Sequence, residues 1–240
     1  MQLRNKALTL LFLTTFAPMA VANNKHCCSP YFRAPYVGAE IIQTNQNYKY
    51  GFGKDVFVKN PQEYNFFAGF RFSDYFGLEG GYEFQPRRSK NVTLVAGQVP
   101  PGGDVIEQGS SFSLTSQIKG YHPYLGVFAE LDQCAPRIGK IKYQALVAAA
   151  FSTITALDSV YAVDGTPLTP RVATYHKYRT GVLVKLAAGH TFRNHIGARV
   201  SVQYRNDSIF QIHSEQPGTA EIKLKDTWGV GLGLTYSFFD

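Results

Sequence analysis

Seven charged residues, Glu40, Arg71, Glu79, Glu83, Lys142, Lys185 and Arg199, each alternate with apolar neighbours. Successive side chains of a strand point to opposite faces, so each charge would stand on the face away from the apolar residues. Both signs brought together in a confined space favour ion pairing. A second group, Ser208, His213, Ser214 and Glu215, has the residue types of an acyl-transfer site. A serine nucleophile needs a base within hydrogen-bond reach and a third group that orients the base. Consecutive His213, Ser214 and Glu215 alternate faces on a strand, so their spacing alone makes no triad and no catalytic residue is assigned. Three cysteines, Cys27, Cys28 and Cys134, show no C-x-x-C or His-rich spacing, so neither a metal nor a cofactor is expected.

The positioning elements begin after a segment set apart by its own pattern. Arg4 and Lys6 precede a short apolar run from Leu8 to Phe16, and Ala20-Val21-Ala22 offers a small-residue cleavage site. This is the pattern of a secretory signal peptide, too short for a spanning helix. The expected division is a signal peptide at 1–22, a periplasmic tail at 23–33 and one domain at 34–240. Cleavage after Ala22 would leave 22 basic residues against 17 acids, a net charge of +5. Export argues against a nucleic-acid partner, and an anionic surface or lipid headgroup suits the basic balance. Fifteen Tyr, 18 Phe and 22 Gly favour strands over helices.

Dyad alternation recurs along the chain. At the end, Trp228, Val230, Leu232, Leu234, Tyr236 and Phe238 oppose Thr227, Gly229, Gly231, Gly233, Thr235 and Ser237. Similar segments run through Ile196–Arg205, Arg179–Ala188, Ile141–Ser152, Phe76–Phe84 and Tyr64–Phe72, with a weaker one around Val37–Ile41. A segment from Phe112 to Leu131 loses parity near His122-Pro123, where a bulge is expected because proline cannot donate to a ladder. Short connections at Ser73–Tyr75, Asp132–Gly139 and Arg193–His195 alternate with long polar ones at Asn45–Pro61, Pro86–Ser111, Asp158–Thr174 and Asn206–Glu221. That rhythm predicts an all-β fold, an eight-stranded antiparallel up-and-down transmembrane β-barrel.

Alternation alone does not say which face meets lipid. Aromatics stand at the ends of the apolar faces, as Phe76 with Phe84, Tyr143 with Phe151 and Trp228 with Phe238. Eight to ten residues at ~3.3 Å each, tilted about 40°, separate such pairs by roughly 20–25 Å, the height of a lipid-facing band between aromatic girdles. Lys or Arg on that outer face at membrane depth would destabilise by about 2–4 kcal/mol each. The seven charges are therefore expected inside, as a network that fills the lumen.

The run from Phe66 to Tyr82, with its Arg71-Phe72-Ser73-Asp74-Tyr75-Phe76 turn, resembles the second hairpin of the outer-membrane protein A-like β-barrel family. The ending Gly233-Leu234-Thr235-Tyr236-Ser237-Phe238 resembles the C-terminal signal read by the outer-membrane insertion machinery. The resemblance implies a Gram-negative outer-membrane location, with outer-membrane lipids and lipopolysaccharide as surroundings. It points to no one activity, and the expected function is a non-enzymatic role in envelope integrity or surface adhesion through the four long loops. Loop residues Lys54, Lys59, Arg87, Arg88, Lys90, Arg171, Lys223 and Lys225, among Tyr48, Tyr50, Phe52 and Phe57, could meet a host surface ligand or lipopolysaccharide phosphates. Two alternatives stay open: a small passive channel and a lipid A-modifying enzyme built on the Ser208 to Glu215 cluster. Cys134 and the pair Cys27 and Cys28 would share the periplasmic end, where a disulfide from Cys134 to either competes with free thiols.

Overall fold

The computed structural model describes residues 35–50, 58, 60–73, 75–94, 112–135, 139–162, 173–192, 195–206, 211–212 and 222–238. Nine strands follow in order: β1 Pro35–Tyr50, β2 Gln62–Arg71, β3 Phe76–Leu94, β4 Phe112–Ala135, β5 Gly139–Ala162, β6 Ala173–Thr191, β7 Ile196–Arg205, β8 Gln211–Ile212 and β9 Ile222–Ser237. Each long strand pairs antiparallel with the next, and β1 pairs with β9 to close the sheet. The result is a closed eight-stranded antiparallel barrel of β1–β7 and β9, with two-residue β8 hydrogen-bonded to the outer part of β9. Closure removes the free edges that an open sheet would carry.

The register follows from alternation. On β9, Trp228, Val230, Leu232 and Leu234 are at least half exposed, while Thr227 and Gly231 are buried. On β7 the burial pattern alternates at every residue, with Ser201, Gln203 and Arg205 inside. The outside carries Leu125, Val147, Leu232 and Phe66, each more than half exposed, on four different strands. Apolar surface so continuous is not found facing water and fits the hydrocarbon of a bilayer.

The strands are longer than alternation foretold. The expected connection at Pro86–Ser111 is strand as far as Leu94 and again from Phe112, and those at Asn45–Pro61 and Asp158–Thr174 are likewise shortened by paired residues. The added stretch of β3 from Pro86 to Asn91 has no apolar side chain on either face after the proline, so it lacks the alternation by which a strand is recognised. Ten-residue β2 and β7, at ~3.3 Å per residue and a tilt of about 40°, span roughly 25 Å and just cross the bilayer. The 24-residue β4 and β5 exceed that height more than twofold, so β3–β6 rise as a tall wall beyond the membrane on the long-loop side.

The bulge lies elsewhere than expected. His122 and Pro123 both pair with β3, the ladder to β5 skips them without a shift of register, and parity is kept with His122 and Tyr124 inside and Tyr121, Pro123 and Leu125 outside. Aromatic side chains on the inner face made the parity look lost. The register shift falls on β3 between Gln85 and Arg88, where Pro86 cannot donate to the ladder.

At the opposite end the turns are tight. Ser73 N donates to Phe76 O at 3.2 Å and Phe76 N donates to Ser73 Oγ at 2.9 Å. His195 adopts a left-handed φ of 64° next to the closing bond from Phe192 N to Ile196 O. The signal-peptide and tail segments, Cys27, Cys28, the Cys134 side chain, and Ser208, His213, Ser214 and Glu215 lie outside what is described.

Candidate functional site

The barrel lumen gathers the buried charge of the described residues. The inward positions of β1–β3 supply acids: Glu40 on β1, Glu63 on β2, and Glu79 and Glu83 on β3. Those of β6 and β7 supply bases: Lys185, Arg199 and Arg205. Each ion pair among them therefore reaches across the bore, which for eight strands is about as wide as side chains can fill.

Taken in order, these groups form a chain of alternating sign. Arg205 holds Glu63 through two bonds of 3.1 Å, Nη1 to Oε2 and Nη2 to Oε1. Its Nη1 also contacts Glu83 Oε2. Lys185 Nζ lies 3.3 Å from Glu83 Oε1 and 3.0 Å from Glu40 Oε2. Arg199 then joins Glu40, at 3.4 Å from Nε, to Glu79, at 3.0 Å from Nη1. Among the described residues four carboxylates alternate with three cations, with Glu63 and Glu79 at the two ends. Neutral donors saturate those ends. Glu79 accepts from Tyr36 OH at 2.7 Å, Tyr124 OH at 3.1 Å and Gln144 Nε2 at 3.4 Å. Glu63 accepts from Gln46 Nε2 at 3.0 Å. Such bonds to a charged acceptor are about twice as strong as neutral ones.

Beside the ionic chain the lumen holds an apolar cluster. Phe67, Tyr124, Phe128, Leu146, Ala148, Ala150 and Leu183 form one buried apolar cluster, placed mainly by β4 and β5, with Tyr36 packed against it. Arg199 lies 4.7 Å from the Phe67 ring centroid and Lys185 5.3 Å from that of Tyr124, so two network cations sit on aromatic faces. Glycines make room for the rings. A Cβ on Gly77 would fall 2.2 Å from the Phe128 ring, and one on Gly38 would fall 2.3 Å from the Phe67 ring.

Of the seven charges read from sequence, the structure brings Glu40, Glu79, Glu83, Lys185 and Arg199 together. Arg71 joins a separate cluster near the short turns, 2.9 Å from Glu130 and 3.2 Å from Asp132. Lys142 is half-buried and makes no ion pair among the described residues. Phe76, Tyr143, Phe151, Trp228 and Phe238 face outward, and Phe84 stacks half-buried against Tyr64 and Phe66. Beside the paired charges expected in the lumen stands the apolar cluster, whose inward Leu146, Ala148 and Ala150 sit on a strand that is apolar on both faces. Glu63 and Arg205 were missing from the sequence-derived set. Glu63 lies two residues before Asn65 on the same face, and the segregation of inward acids from inward bases was already written in the strand order.

One pair has nucleophilic chemistry. His122 Nδ1 is hydrogen-bonded to Ser152 Oγ, and both residues are about 1% exposed inside the lumen. A hydrolytic pair needs a path for its substrate. These side chains face away from the bilayer and are sealed from it by their own strands.

Comparison with known proteins places the architecture. Residues 8–238 match the family described as the outer membrane protein beta-barrel domain. Among solved structures, the outer membrane protein OprG from Pseudomonas aeruginosa aligns at 10% identity over 86% of this chain and 97% of that one, with a TM-score of 0.50. Ail, the attachment invasion locus protein of Yersinia pestis, solved with the heparin analogue sucrose octasulfate, aligns at 13% identity over 85% of this chain and 97% of that one, with a TM-score of 0.40. Neisserial surface protein A aligns at 14% identity over 85% and 97% respectively, with a TM-score of 0.39. No curated protein matches the sequence.

Proposed function

We propose, from the premise that this chain belongs to the outer membrane protein β-barrel domain family and resides in the Gram-negative outer membrane, that it is a sealed, non-enzymatic surface protein. Its task lies in its four long connections, which serve adhesion or the integrity of the envelope. The observation that supports this reading is the double obstruction of the lumen. An alternating ionic chain crosses the bore, and an apolar cluster fills the space beside it. Neither half offers a continuous wet path, so a passive channel is the weaker reading. What remains for recognition is the extramembrane part.

The reading includes several partners and processing steps. The insertion machinery would act on the C-terminal strand, lipopolysaccharide would surround the barrel, and a host surface ligand would meet the loops. A signal peptide at 1–22 would be cleaved, a tail at 23–33 would stay periplasmic ahead of the barrel at 34–240, and Cys134 would be available to Cys27 or Cys28.

The test uses cells that express the barrel with residues 51–61, 95–111, 163–172 and 207–221 replaced by short turns. Loss of adherence to host-cell layers, or loss of detergent resistance, identifies which of the two roles the loops perform. Unchanged values for both would overturn the reading. Planar-bilayer recording of the intact protein is expected to show no sustained conductance, and lipid A acylation should be unchanged in cells lacking the gene.

A further inference from the structure

Two cations on the outer face of the tall wall stand opposite one another without an ion-pair partner among the described residues. Gln85 on β3 pairs with Gly120 on β4, and Arg88 pairs with Ile118, so Pro86 and Arg87 together oppose Lys119. Gln85 and Ile118 are both about 2% exposed and mark the inner face on either side of the bulge. Arg87 and Lys119 therefore share the outer face, opposite one another on adjacent strands, and Arg87 is exposed. Like charges facing each other across a ladder destabilise it. Among the described residues neither forms an ion pair, and Lys119 stands 5.9 Å from the Tyr121 ring centroid.

Their height in the membrane names the missing anion. The outward residues of β4 run from Leu131 through Ala129, Val127, Leu125 and Pro123 to Tyr121, ten residue steps that at ~3.3 Å and a tilt of about 40° cover roughly 25 Å. Tyr121 and its neighbour Tyr82, with ring centroids 6.1 Å apart, close the lipid-facing band at its outer end. Lys119 is the next outward residue, at the level where the headgroups of the outer leaflet begin. Bulges commonly re-aim one side chain, and this one leaves exposed Arg87 on the outer face opposite Lys119. A guanidinium fork with an ammonium suits a phosphate monoester better than either cation alone.

We propose that Arg87 and Lys119, above Tyr82 and Tyr121, bind a phosphate of the outer-leaflet glycolipid, fixing lipopolysaccharide against the tall wall. This takes from the proposed function only the membrane setting, so a failure of adhesion leaves it standing. The test uses full-length protein refolded in phosphatidylcholine nanodiscs, with diphosphoryl lipid A titrated in and occupancy counted by native mass spectrometry. Arg87→Gln with Lys119→Gln is expected to weaken binding about tenfold and each single change about threefold, with heat-modifiability on a gel retained. Arg87→Lys is expected to keep most of the affinity.

Three results would overturn the proposal. One is affinity within about twofold of wild type in the double variant, and another is equal wild-type affinity for phosphatidylglycerol. The third is complete displacement of lipid A by millimolar inorganic phosphate, which would mean a general anion site. Should the double variant not refold, the two single variants carry the same comparison.

Discussion

Replacing Arg205 by glutamine strikes the lumen where its charge balance is least forgiving. Arg205 has both terminal nitrogens on Glu63 and one on Glu83, and all three side chains are buried. The wild-type chain carries four carboxylates against three cations; without Arg205 it carries four against two. Glu63 keeps Gln46, and Glu83 keeps Lys185 and Gln203, but two carboxylates that shared a guanidinium now face each other. Removing one partner of a buried pair typically destabilises by about 3–5 kcal/mol, because a charge is left without compensation. Glu63→Gln is the opposite perturbation: it brings the chain to three against three and leaves Arg205 paired to Glu83. Its expected effect is on the order of 1–2 kcal/mol, the loss of charge-assisted bonds without a stranded ion. The assay is urea titration of protein folded in phosphatidylcholine vesicles, read from the single Trp228, which faces the lipid and lies 4.8 Å from Tyr204 between ring centroids. Equal effects of the two substitutions, or a loss below about 1 kcal/mol for Arg205→Gln, would refute the reasoning, since either means that water screens the chain.

Other perturbations probe the remaining parts of the lumen. Phe128→Ala should lower stability by about 3–5 kcal/mol in the same titration, as it empties the centre of the apolar cluster. Gly77→Val should cost about 1–3 kcal/mol, because its side chain would enter the Phe128 ring, and combining it with Phe128→Ala should cost less than the sum of the two. Glu83→Ala should not by itself produce sustained conductance in planar bilayers, since the apolar cluster still obstructs the bore. Raising NaCl from about 50 to 500 mM should leave the urea midpoint nearly unchanged, because buried pairs are screened far less than exposed ones.

The fold was legible because a lipid-facing barrel imposes one rule on every membrane-crossing residue: apolar outward, anything that fits inward. The rule has no hold above the membrane, which is why the upper parts of β3 and β5, from Pro86 and from Asp158, read as loops. It also fails on β4 and β5, where Tyr124, Phe128, Leu146 and Ala148 point inward beside apolar outward neighbours. A strand apolar on both faces carries no mark of which side is the lumen. Partners within the lumen were hidden for a different reason. Lys185 and Glu40 are 145 residues apart, and only the closing of β1 on β9 brings them within 3.0 Å.

That closure also explains why the charges are sorted by strand. Four carboxylates on β1–β3 repel one another along a single wall, and the bases on β6 and β7 relieve that repulsion only once the sheet has curled. An ionic chain of this kind is weak evidence of extra stability, since well-packed apolar residues can often replace buried pairs without loss. Its physical value is selective. A slip of one residue would turn every inward charge on the moved strand toward lipid, at about 2–4 kcal/mol for each Lys or Arg at the midplane. Lys185 and Arg199 thus oppose register errors on β6 and β7, while the apolar cluster on β4 and β5, able to face either way, cannot. The sorted charges are best understood as setting which closed barrel forms, and the aromatic packing beside them as making it dense.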